Sequence, residues 1–208
     1  MKPLARGHIH RVAFFLILYL CTYLMIYSNG PRAFVASLIY SGSLIMQYGV
    51  SSLYHCYIWS RKKYLLLRRI DHAAIFVLIA GSATPICLLK LKPAIGLQLL
   101  STLWLIAVIG MLMTTLWPHL PKWTRALLYV VMGWIGVFYY AEIQSSLNVI
   151  NLHLLVLGGI AYTLGALIYA LKWPDPFPTL FGYHEIFHAL VVLGSGFHFA
   201  LNYNIATT

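Results

Sequence analysis

Apolar and polar positions along this 208-residue chain fall into long blocks. Seven apolar stretches lie at about 12–28, 34–57, 71–89, 96–117, 124–141, 151–171 and 183–203. Each is close to the ~20 residues an α-helix needs to cross a hydrocarbon core. Between them run short segments rich in proline, glycine or charge: SNGPR (28–32), SRKKYLLLRR (60–69), LKPAIG (91–96), WPHLPKW (117–123) and KWPDPFP (172–178). None leaves room for a soluble domain. The pattern predicts an all-α, integral membrane seven-helix bundle that takes up residues 1–208 as one domain. The first stretch has the basic flank and apolar run of a signal peptide. TYLMIYSNGPR follows it without a small-residue cleavage site, so it is read as a retained span. Pro85 predicts a kink in the third span. Gly81 and Ser82 there, with Gly158, Gly159 and Gly165 in the sixth, predict close helix–helix approach.

Composition agrees: 61% of residues are hydrophobic and 9% charged, which excludes a soluble domain. A formal net charge of +10 would suggest nucleic acid in a soluble protein; here its distribution reads as topology. With the N-terminus inside, eleven of the fourteen Lys and Arg lie in inside segments: Lys2, Arg6, Arg11, Arg61, Lys62, Lys63, Arg68, Arg69, Lys122, Arg125 and Lys172. Only Arg32, Lys90 and Lys92 lie outside. Trp59, Trp117, Trp123 and Trp173 all fall at inner boundaries, as an interfacial aromatic belt would. The expectation is N-terminus inside, C-terminus outside, in the cell (plasma or inner) membrane. Lipids are the expected partners and nucleic acid is not. Cys21, Cys56 and Cys87 are odd in number and lack a spacing pattern, which argues against a disulfide framework.

Imidazole is expensive inside a bilayer, so intramembrane histidines point to function. His184 and His188 are one turn apart on one helix face, as are Ser51 and His55. The alternating topology puts Ser51, His55, Asp71, His184 and His188 near the inner face. Three neutral imidazoles can hold Zn²⁺ and leave a fourth position open for water. Zinc brings the pKa of that water to about 7. Asp71 is placed to accept the water's proton, and Ser51 to hydrogen-bond a developing oxyanion. Asp71 also suits a cap at the start of the third helix. His198 reads as hydrogen-bonded to a neighbouring helix; His8, His72, His119 and His153 read as ordinary. His184-Glu185-Ile186-Phe187-His188 also satisfies H-E-x-x-H, the zincin protease signature with Glu as base. Glu185 reads alternatively as a water-facing anion at a helix start.

At SSLYHCYIW (51–59), RRIDHAAIFVLIAGSATP (68–85) and FGYHEIFHALVVLGSGFHFA (181–200) the chain resembles the hemolysin III family, which is related to the progestin and adipoQ receptors. KPLARGHIHRVAFF (2–15) adds to the likeness. The resemblance implies seven helices and an inward-facing zinc held by His55, His184 and His188. It also implies Asp71 on the zinc-bound water, with Ser51 nearby. The wider superfamily includes alkaline ceramidases, which implies hydrolysis of an amide or ester in a lipid-like substrate. The alternatives are a receptor-like sensor with structural zinc, a membrane-lytic pore-forming protein and an H-E-x-x-H intramembrane protease.

Overall fold

The structure is a computed structural model that describes residue 3, residues 5–117 and residues 119–208. Lys2, counted above among the inside charges, lies outside the described residues. The helices are α1 (His8–Ile26), α2 (Pro31–Cys56), α3 (Arg61–Leu89), α4 (Pro93–Leu116), α5 (Lys122–Gly133), α6 (Tyr140–Ser146), α7 (Val149–Leu171) and α8 (Tyr183–Thr207). A 3₁₀ segment, Ile135–Tyr139, joins α5 to α6. With α5 to α6 counted as a single crossing, seven helical segments among the described residues are long and apolar enough to span a membrane. The all-helical, seven-span architecture therefore stands. Proline occupies the first helical position of α2 and α4, where its missing N–H costs nothing.

Two boundaries differ from expectation, and both bear on the site. Residues 61–69, read as a loop, form the first two and a half turns of α3. Lys, Arg and Leu are good helix formers, and no proline or glycine interrupts the run. Asp71 consequently sits well inside the helix and is not its cap; Ser60 holds the N-cap position. The fifth span, read as continuous, breaks between Gly133 and Tyr140. Gly133 and Gly136 each weaken a helix by about 1 kcal/mol relative to alanine. Irregular backbone at membrane depth is tolerated where it lines a cavity, and Gly133, Gly136 and Val137 do so.

Helix α3 is the central element, packed against α2, α4, α5 and α8. On one side Phe76, Ala80 and Ile86 meet Leu99, Leu103, Met132 and Leu201. On the other, Leu78 joins Ile17, Leu24, Tyr40, Leu44, Tyr48 and Val191 of α1, α2 and α8. Lipid tails are as apolar as these side chains, so tight packing and interhelical hydrogen bonds hold the bundle. Tyr48 Oη donates to Ser195 Oγ at 2.7 Å, and Asn202 Nδ2 to the Ser82 carbonyl at 3.0 Å. Gly158 lets α7 and α8 touch: a Cβ there would run into the His198 ring. That closeness sets His198 Nε2 3.3 Å from the Leu155 carbonyl, the interhelical bond expected of it. Pro85 is accommodated within α3, which remains helical to Leu89. All three cysteines are free.

Candidate metal centre

The last two turns of α2, the third turn of α3 and the first two turns of α8 meet at one end of the bundle. Ser51 and His55 come from α2, Asp71 from α3, and His184 and His188 from α8, and all five are buried. The ring centroids of His55, His184 and His188 are 4.6–5.0 Å apart. One ligand nitrogen from each lies within 4.8 Å of the others. His55 Nε2 and His184 Nε2 are 3.3 Å apart. Tetrahedral zinc with bonds of about 2.0–2.1 Å sets neighbouring ligand nitrogens about 3.3–3.4 Å apart. The donor set also fits: three buried imidazoles suit zinc in a site with one open position. His188 Nδ1 is buried without a hydrogen-bond partner, and so is Asp71 Oδ1. Such orphans each cost roughly 1–3 kcal/mol, a cost that a bound cation and its water would remove. Asp71 Oδ2 stands 3.9 Å from His55 Nε2.

Glu185 lies elsewhere. It is fully buried, and one carboxylate oxygen accepts from Arg6 Nε. The other accepts from the Gly182 backbone N–H at 2.8 Å, reaching back over the start of α8. The water-facing reading of Glu185 is therefore corrected: the carboxylate is sealed in and used at the helix start, outside the histidine cluster.

Sequence reasoning passed over His10. This residue of α1 is 1% exposed. Its ring lies flat on His188, with centroids 3.8 Å apart and planes 7° from parallel. Its Nδ1 is 2.8 Å from Ser51 Oγ. Ser51 of α2 is thus tied to His10 of α1 beside the cluster. The available signal was a fourth histidine at the inner end of an apolar span. The segment before α1 closes over the cluster, with Ala5 N–H bonded to the Leu180 carbonyl at 3.1 Å. Gly7, at φ 85°, packs on His55 so closely that a Cβ would clash with that side chain.

From the cluster a cavity of about 710 Å³ runs between α3, α5, α7 and α8 toward the other end of the bundle. Asp71, His184 and His188 line it at the cluster; Ile79, Leu103, Ile143 and Leu155 line its depth. Trp134, Val137 and Tyr140 line the same cavity, yet are 38%, 54% and 50% exposed on the bundle surface. The broken fifth span is therefore a side wall that faces both the cavity and the lipid.

Comparison with known proteins agrees with this architecture. The sequence profile of the family described as Haemolysin-III related matches residues 1–199. The chain is 35% identical over 161 residues to the Hemolysin-3 homolog of Bacillus subtilis (strain 168), covering 77% of this chain and 72% of that protein. It is 32% identical over 168 residues to Hemolysin-3 of Bacillus cereus, covering 80% and 73%. The Adiponectin receptor protein of Drosophila melanogaster is 30% identical over an alignment of 151 residues, with 64% of this chain and 34% of the receptor covered.

Proposed function

We propose that this multi-pass membrane protein, which belongs to the haemolysin-III related family, is a zinc-dependent hydrolase of an amide or ester bond in a lipid-like substrate. One observation carries the reading. Three buried imidazoles and a buried carboxyl stand at the end of a mainly apolar cavity whose side wall faces the bilayer. His55, His184 and His188 would hold the metal. A bound zinc ion would supply Lewis-acid activation of water and of the scissile carbonyl.

The remaining work falls to this chain's own groups. Asp71 Oδ1, which has no other partner, accepts the proton of the attacking water and later delivers it to the leaving group. Ser51, tethered by His10, holds the carboxyl in register and offers a hydroxyl at the reacting end. The apolar wall takes the hydrocarbon chain, and burial there orients the scissile bond toward the cluster. The membrane concerned is proposed to be the cell membrane, with the histidine end at the cytoplasmic face.

The engagement of Glu185 by Arg6 and Gly182 speaks for Asp71 over Glu185 as the base, and so against an H-E-x-x-H protease. A second reading, a receptor-like protein with structural zinc, draws support from the similarity to the fly protein named as an adiponectin receptor. The test is elemental analysis of the purified chain, followed by a turnover screen over lipid amides and esters in vesicles. One zinc per chain and chelator-sensitive release of a fatty acid are expected. A metal-free, stably folded protein would sink the reading. Zinc without turnover of any lipid class would favour the receptor-like alternative.

A further inference from the structure

At the histidine cluster the cavity ends under a piece of chain that the proposed chemistry does not use. Arg6 is part of its lining, and Arg6 belongs to residues 5–7, the turn that leads into α1. Three contacts set that turn over the histidines. The Ala5 N–H donates to the Leu180 carbonyl, just before α8, at 3.1 Å. Arg6 Nε donates to the Glu185 carboxylate. Gly7 lies against the end of α2: a Cβ on it would stand 2.5 Å from His55 Cβ and 3.0 Å from Cys56 Sγ. Its φ of 85° and this close approach both call for glycine. Each contact falls on an element that carries a proposed ligand. Beneath the turn His55, His184 and His188 are only 7%, 9% and 2% exposed.

The Arg6–Glu185 pair is poor glue and a good latch. The Glu185 side chain is 1% exposed and that of Arg6 18%. An intact buried ion pair adds little net stability, because desolvation offsets the attraction. Its best-attested use is to fix one arrangement against another. The other Glu185 oxygen accepts the Gly182 N–H at 2.8 Å, so the carboxylate stays in place when the guanidinium leaves. Gly7, at the N-cap of α1, supplies no side-chain cap to anchor the turn. A short turn held at a few points opens locally at far lower free energy than the helices it rests on.

We infer that residues 5–7 form a strap across the water-facing mouth of the histidine cluster, latched by Arg6 on Glu185. With the latch closed, the cluster communicates with the apolar cavity and not with water. With it open, Arg6 and Gly7 lift from Glu185 and His55, and the cavity end meets the aqueous phase. The glutamate of the H-E-x-x-H spacing then serves access to the site, not proton transfer in it. This needs the buried cluster and does not rest on the hydrolase reading.

Cys56 is a built-in reporter, since its Sγ lies under Gly7, while Cys21 and Cys87 are 0% and 1% exposed. The full chain in phosphatidylcholine nanodiscs is treated with water-soluble methanethiosulfonates bearing a sulfonate or an ammonium group. Peptide mass spectrometry reads the rate at each cysteine. Arg6→Ala and Glu185→Gln should each speed modification of Cys56 by about tenfold or more, in step with the population of the open strap. The rise should appear with both reagents, which separates opening from a change of local charge. Gly7→Ala should act in the same direction, because its Cβ pushes the strap off His55. Arg6→Lys keeps the charge and should stay within about threefold of the parent. The double variant Arg6→Ala, Glu185→Gln should match the faster single one, since two changes to one contact do not add. It leaves no unpaired charge and serves if Arg6→Ala does not fold. Cys21 and Cys87 should stay unreactive throughout, which reports an intact bundle. A parent Cys56 that reacts as fast as in the variants, with the other two cysteines protected, would overturn the inference. Neither metal nor turnover is read, so its failure is distinct from failure of the hydrolase reading.

Discussion

The imidazole of His10 lies stacked on that of His188, 3.8 Å between centroids and 7° from parallel, while its Nδ1 reaches Ser51 Oγ. One residue of α1 therefore braces a proposed ligand on α8 and a polar side chain on α2. Groups just outside a metal's ligands typically change affinity 10–100-fold when removed. We predict that His10→Ala lowers zinc retention by about tenfold in a chelator-competition assay. His10→Phe keeps the stacking surface without the Ser51 bond and should retain zinc near the parent level. Equal zinc loss in both variants would mean that the ring face is not what braces His188.

The ligand set is separable from the other buried histidines. His55→Ala, His184→Ala and His188→Ala should each lose metal on purification. His198→Ala should keep it, because His198, on the far stretch of α8, bonds the Leu155 carbonyl of α7. Full occupancy in any of the first three variants removes that residue from the set. Loss in His198→Ala would show that the α7–α8 contact at Gly158 controls the site.

Asp71 and Glu185 divide the two hydrolytic chemistries. Loss of a general base costs about 10²–10⁴-fold in rate. Asp71→Asn should abolish zinc-dependent turnover with zinc still bound. Glu185→Gln weakens the Arg6 pair and the α8 start, so its expected effect is a lowered melting temperature with turnover within about tenfold of the parent. The opposite ranking of rates would move the base to Glu185 and promote the protease.

Orientation rests on the split of eleven basic residues against three. Reporter fusions should place the N-terminus and residues 60–69 in the cytoplasm and Thr208 outside. Both termini in the cytoplasm would contradict an odd number of crossings, and an inverted pair would put the histidine cluster at the outer face.

Hydrophobic block length by itself determined the all-helical class and the count of seven spans, because a bilayer admits few other ways to satisfy the backbone. The same alternation was enough to bring His55, His184 and His188 to one end, since a helix bundle of short loops leaves little choice of neighbours. The break in the fifth span was not legible: two glycines lower helix propensity, but whether the backbone gives way depends on the cavity beside it. The start of α3 was missed because charge was read as loop, although Lys, Arg and Leu all favour helix; that moved Asp71 from a cap to the helix interior. Only the tertiary structure decided the roles of His10 and Glu185. His10 lies in an apolar context that looks ordinary along the chain, and the H-E-x-x-H spacing offered Glu185 a different role from the one it has. What each side chain meets is set by which faces of α1, α2 and α8 turn toward one another, and that is a property of packing across the bundle.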